Sequence, residues 1–151
     1  MAGKSFDEWV VGEEHTSPTR TMTETDVVMF AAMTGDYNEL HTSEEFMKKS
    51  QFGRRIVHGL LGLAVSHGLL FRTGLVEGTA IAFLQVDEWK FLAPIYFGDT
   101  IHITLRVVEK IPSKTKPDRG IIKLYLEVIT QDGTVAQSGY KTLMMRREVP
   151  R

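Results

Sequence analysis

Between Gly59 and Phe71 the residues Leu60, Leu61, Leu63, Ala64, Val65, Leu69, Leu70 and Phe71 cover nearly every direction around a helix. A helix that is apolar all round has to be enclosed by the rest of its chain. Gly62 and Gly68 lower helix propensity by about 1 kcal/mol each, but they let another backbone come close. The whole greasy stretch, Ile56 to Phe71, is shorter than the roughly 20 residues of a membrane span and carries His58, Ser66 and His67. A buried central helix is expected, with no membrane as partner.

The enclosure has to come from the second half, which reads as strand after strand. Ala80 to Phe91 is the first, and Ile101, Ile103, Leu105 and Val107 then alternate with His102, Thr104 and Arg106. Ile122, Leu124, Leu126 and Val128 alternate in the same way. Asp132-Gly133 makes a hairpin turn into Val135 to Met145. Pro112 to Gly120, with two prolines, is the longest flexible-looking loop. In the first half, Thr23 with Asp26 and Met22 with Val27 mark a helix start, and Gly35 stops that helix after about Met33. Thr42 with Glu45 repeats the capping signature ahead of a short second helix, and a strand near Arg20 to Thr23 is weakly signalled. No repeat or low-complexity segment divides the 151 residues, so one domain over 1–151 is expected. An antiparallel sheet of about four or five strands curled around one helix gives an α+β fold. Such a single layer leaves a face or an edge open, and a second copy of the chain would cover it.

Lys and Arg total 18 against 19 Asp and Glu, a formal net charge of −1. A nucleic-acid partner needs a strong local basic excess, so that class is set aside. Cys is absent, which removes thiolate nucleophiles and Cys-based metal sites. Met1 to Trp9 has no apolar run of the secretory kind, and a cytoplasmic location is expected.

The densest chemistry lies in Thr34-Gly35-Asp36-Tyr37-Asn38-Glu39-Leu40-His41, between the two helices of the first half. A turn through Gly35 and Asn38 can fold the Asp36 carboxylate and the His41 imidazole towards one small volume, where they would hold and polarise a water. The same spacing also fits a plain structural role, with Asp36 capping a turn and His41 preceding a helix cap. Downstream, Ile56-Val57-His58-Gly59 opens the apolar helix and leaves free N–H groups at the positive end of its dipole, an oxyanion-type site. Gly59 would let a ligand carbonyl approach the backbone; equally, it could be an ordinary glycine at a tight junction. His58 reads as a hydrogen-bonding loop residue.

Gly35-Asp36-Tyr37-Asn38-Glu39-Leu40-His41 followed by Phe52-Gly53-Arg54-Arg55-Ile56-Val57-His58-Gly59 resembles the signature of MaoC-like (R)-specific enoyl-CoA hydratases and dehydratases. Trp89 to Thr100 resembles the strand-turn-strand segment of the same family, and the likeness extends over residues 10 to 146. The resemblance implies a hot-dog fold, a curved antiparallel sheet wrapped around a central apolar helix, with two units pairing to build the active sites. It implies Asp36 and His41 as the catalytic pair and Gly59 as the donor to the thioester oxygen. Asn38, matching the motif asparagine, His58 and Ser66 complete the expected substrate-binding set. The chain departs from the family pattern at two places. Glu39 stands where the family usually has proline, and the helix serine expected eight residues after the glycine falls at His67, with Ser66 one residue earlier, about 100° away around a helix.

Other patterns carry less. Gly3-Lys4-Ser5 lacks the upstream glycine and strand of a phosphate loop. The spacing of Asp36, His41, His58 and His67 matches no standard metal pattern, and no metal is expected. Arg54, Arg55, Lys114, Lys116 and Arg119 could meet coenzyme phosphates but suit plain solubilising roles. The expected function is reversible hydration of trans-2-enoyl thioesters, carried by CoA or an acyl carrier, in a homodimer or higher homo-oligomer without a cofactor. A hot-dog thioesterase and a non-catalytic acyl-thioester binding module are the alternatives.

Overall fold

The computed structural model describes residues 3–147; residues 1, 2 and 148–151 of the expected domain lie outside the described residues. Six strands form one antiparallel sheet: β1 (Glu14–Thr16), β2 (Arg20–Thr21), β3 (Ala80–Phe91), β4 (Thr100–Pro112), β5 (Arg119–Thr130) and β6 (Val135–Arg146). Their order is β1-β4-β5-β6-β3, with β2 also paired to β4, so β1 and β2 together form one edge and β3 the other. The period-2 pattern does what it should. Ile101, Ile103, Leu105 and Val107 on β4 and Ile122, Leu124, Leu126 and Val128 on β5 are all buried. They join Leu61, Val65, Leu69 and Leu70 of the central helix in one core.

The loop expected over Pro112 to Gly120 is shorter than that. Pro112 pairs with Gly120, and the connection is reduced to residues 113–118. Near the N-terminus, a 3-10 turn over Phe6–Glu8 and strand β1 had no periodic signal, being only three residues each.

Helix α1 (Glu24–Thr34) starts as its sequence dictates: the Asp26 N–H donates to the Thr23 hydroxyl and the Thr23 N–H to the Asp26 carboxylate. Gly35, at φ 79°, takes the left-handed conformation that ends it. Two short helices follow, α2 (Glu39–Thr42) and α3 (Glu44–Lys48). The expected Thr42 cap is a correction. Ser43 caps α3 by accepting the Phe46 N–H, while the Thr42 hydroxyl turns back to the carbonyls of Tyr37 and Asn38.

Helix α4 (Gly59–Arg72) is the central helix, but it is not enclosed all round. Leu61, Val65, Ser66, Leu69 and Leu70 face inward, whereas Leu60 is 61% and Phe71 39% exposed. A single curved sheet covers only one side of a helix. Among the described residues the other apolar side stays open, together with Phe83, Leu84, Val86 and Phe91 of the edge strand β3.

Candidate active site

The segment between α1 and α2 is held by short-range bonds. Asp36 donates its N–H to the Thr34 hydroxyl, Asn38 donates its N–H to the Asp36 carboxylate, and the Asn38 side-chain oxygen caps α2 by accepting the Leu40 N–H at 3.0 Å. Asn38 is therefore engaged with the backbone that presents Asp36 and His41. Asp36 itself is exposed.

His41 lies on α2 and is buried. Its Nδ1 is 2.8 Å from the Ile56 carbonyl, and a carbonyl can only accept, so Nδ1 carries the hydrogen. In the neutral ring Nε2 then keeps its lone pair. His58, 2% exposed, is bound from the other side: its Nε2 donates to the main-chain oxygen of Asp36 at 3.0 Å. The two rings stack with centroids 3.7 Å apart and planes 25° apart, and Phe30 packs on His58 at 4.9 Å. Thus His58 ties the Asp36 segment to the start of α4.

One nitrogen of each ring and a carboxylate oxygen of Asp36 lie within 4.8 Å of one another. That span fits a single water donating one hydrogen bond of about 2.8 Å to each of two acceptors. It suits a metal ion poorly. Stacked imidazoles hold their lone pairs in nearly parallel planes, which cannot converge on one ion without rotating a ring off its carbonyl. Burial pushes His41 below the ordinary imidazole range; the hydrogen bond to Ile56 opposes this, His58 adds to it and the Asp36 carboxylate opposes it.

Gly59 is the first residue of α4, where an N–H has no partner within the helix. The Gly62 N–H bonds the His58 carbonyl at 3.1 Å, which fixes the peptide to which the Gly59 N–H belongs. A Cβ on Gly59 would stand 2.9 Å from the Phe91 ring.

Ser66 is placed elsewhere. It is fully buried, donates to the Leu63 carbonyl at 2.6 Å and accepts from the Lys141 ammonium at 2.8 Å, so it points into the core and not to the Asp36 and His41 pair. His67, which stands in the serine position of the family pattern, lies against Phe71 and Phe83. Arg55 and Arg119 are paired with carboxylates, Arg55 with Glu24 and Glu44 and Arg119 with Asp118, while Arg54 stacks on Tyr96. The sequence motifs do not single out Gln137 or Lys141, and they give Trp89 only as the start of the strand-turn-strand segment. Lys141 does break the apolar alternation of β6, and that was the available signal.

Residues 8–126 match the family described as the MaoC like domain. The chain belongs to the MaoC-like domain family. It is 35% identical over 97 residues to a 3-hydroxybutyryl-CoA dehydratase of Methylorubrum extorquens, covering 64% of this chain and 60% of that protein. It is 34% identical over 98 residues to an (R)-specific enoyl-CoA hydratase of Rhodospirillum rubrum, covering 65% and 66%. The chain thus spans less than two thirds of the length of either relative. A crystal structure of a monoamine oxidase regulatory protein from Archaeoglobus superposes with a TM-score of 0.88 at 33% identity, covering 98% of this chain and 97% of that one. The curved sheet around α4 is the hot-dog fold of the MaoC-like proteins. Among the described residues no helix is long and apolar enough to cross a membrane.

Proposed function

We propose that this MaoC-like chain, as a single domain working in a homodimer, reversibly hydrates a trans-2-enoyl thioester to the (R)-3-hydroxyacyl thioester in the cytoplasm. The observation that carries the reading is the grouping of the Asp36 carboxylate with a ring nitrogen of His41 within 4.8 Å, on a ring whose Nδ1 hydrogen is already donated to Ile56. A water held between them attacks the β-carbon with its oxygen. One of the pair takes a proton from that water, and a proton is delivered to the α-carbon, so the elements of one water add across the double bond. The Gly59 N–H meets the thioester oxygen as enolate charge develops there, a contribution of about 3 kcal/mol for one well-placed donor. Asn38 and His58 serve by holding the loop and its neighbours. Water, two side chains and one main-chain donor complete the scheme, and no cofactor has a step in it.

The second copy is supported by the open apolar side of α4 and the unpaired edge of β3, which none of the described residues covers. Carriage of the acyl group by CoA or by an acyl carrier is consistent with a site built to hold the thioester and its neighbouring carbons.

Mixing the protein with crotonyl-CoA tests the reading. Loss of the conjugated enoyl absorbance without release of thiol is the expected result. Release of free thiol identifies a thioesterase, and saturable binding with neither change identifies a binding module; both overturn the hydratase.

A further inference from the structure

Gln137, on β6, is 2% exposed, and both ends of its amide are used. Its Nε2 donates to the Gly59 carbonyl at 3.0 Å, and its Oε1 accepts the Trp89 indole N–H at 3.1 Å. The amide lies so close to Gly62 that a Cβ there would stand 2.4 Å from Nε2. The Gly62 N–H in turn bonds the His58 carbonyl. The peptides on both sides of Gly59 are therefore fixed, one through Gly62 and the other by Gln137 directly. Trp89 is held in place by an irregularity of its own strand. The β3 register shifts between Asp87 and Lys90, Glu88 adopts φ 47°, and the indole packs onto Gly139, where a Cβ would be 2.7 Å from the ring.

We infer that Gln137, oriented by Trp89, is a positioning residue for the Gly59 main-chain N–H and hence for polarisation of the thioester carbonyl. The inference rests on the thioester reading proposed above. Glycine has the softest backbone of any residue, and from within the helix a single bond, Gly62 N–H to the His58 carbonyl, holds the peptide that carries its N–H. A donor lowers a barrier only when it is already pointed at the place where charge develops, about 3 Å away. Gln137 adds to that aim from the sheet, holding the carbonyl of Gly59 and lying against Gly62, so the direction of the donor is set by β6 and β3 as well as by α4.

The test uses two measurements on the whole protein. The first is the infrared carbonyl stretch of bound butyryl-CoA, a saturated thioester that cannot be hydrated; the second is the kinetics of crotonyl-CoA hydration. In the unaltered protein the carbonyl band is expected to move to lower frequency on binding. Gln137→Leu is expected to lose most of that shift and to lower kcat about tenfold or more, with KM changed by less than about threefold, because aim and not occupancy is lost. Gln137→Glu keeps an acceptor for Trp89 but turns an oxygen towards the Gly59 carbonyl, and it should fall as far. Trp89→Phe, which keeps the ring packing and removes only the N–H, should show an intermediate loss in both measurements, and it carries the test if the Gln137 variants do not fold. A folded Gln137→Leu protein, or a Trp89→Phe protein, with the full carbonyl shift and unaltered kcat overturns the inference alone. An unaltered protein that neither shifts the carbonyl band nor hydrates crotonyl-CoA overturns the thioester reading, and the inference with it.

Discussion

The imidazoles of His41 and His58 stack 3.7 Å apart, and each donates one N–H to a main-chain carbonyl, His41 to Ile56 and His58 to Asp36. Both rings are buried. A proton on one makes a second proton on its neighbour harder to add, and the Asp36 carboxylate is the only acidic side chain grouped with them among the described residues. The arrangement keeps His41 in the neutral form that can accept a proton from water.

The pH dependence of hydration follows from this. Protonation of His41 removes the acceptor, and burial with His58 nearby lowers the pH at which that happens, so the acid limb of kcat should have its midpoint below the ordinary imidazole value of about 6.5. His58→Gln removes the neighbouring ring and should move the limb to higher pH. An acid limb at or above that value in the unaltered protein would contradict the role given to burial.

Gly59→Val tests the oxyanion donor. The new Cβ would meet the Phe91 ring at 2.9 Å, so that side chain has to shift, and circular dichroism and sedimentation of the variant check that it folds and dimerises before its kinetics are read. The branches then stand where the thioester has to approach, and turnover should drop about a hundredfold. Normal kinetics in a folded variant would remove Gly59 from the site.

Lys141 gives a stability signature independent of catalysis. It is fully buried against Ser66 with its ammonium 5.2 Å from the Trp89 ring, and desolvation lowers its pKa from 10.5 to about 7. Between those values the unfolded chain holds a proton that the folded one has released, so stability should rise with pH across that interval. The slope for one proton is at most about 1.4 kcal/mol per pH unit. Denaturant unfolding at pH 7, 8 and 9 should show this rise and its loss in Lys141→Met. Equal slopes in the two proteins would mean that the amine is solvated.

Association should follow from the uncovered apolar side. Phe83, 45% exposed on β3, packs on His67 of α4 at the margin of that surface. The native chain should sediment as a dimer at micromolar concentration, and Phe83→Glu should shift it towards monomer while lowering hydration. A monomeric native chain with full activity would rule out a site that needs the second copy.

The architecture was legible because period-2 alternation on β4 and β5 and the apolar run of α4 are direct images of burial. The α1 cap and its Gly35 stop could be read for the same reason, since each rests on bonds within a few residues. Thr42 misled because two adjacent hydroxyls, Thr42 and Ser43, both suit a cap, and only the fold of the Asn38 turn decides between them. The open side of α4 was missed because composition around a helix does not say which partner covers each face. Asp36, His41 and Gly59 stood out through local motifs. Gln137 and Trp89 could not, because they lie 78 and 48 residues from the groups they bond, Gly59 and Gln137, and meet them only through β3 and β6 pairing. Ser66 was expected near the substrate, but the buried Lys141 amine claims its hydroxyl.

The most direct test of the central claim is the turnover of crotonyl-CoA by Asp36→Asn, Asp36→Ala, His41→Ala and the Asp36→Ala, His41→Ala double variant. If both groups act on one water, each single change should lower kcat by about a hundredfold or more, Asp36→Asn nearly as far as Asp36→Ala. The double variant should then be little worse than the poorer single one, as for groups that work as a unit. Near-normal rates for Asp36→Asn or His41→Ala in correctly folded protein, or losses that simply multiply, would contradict the shared-water account.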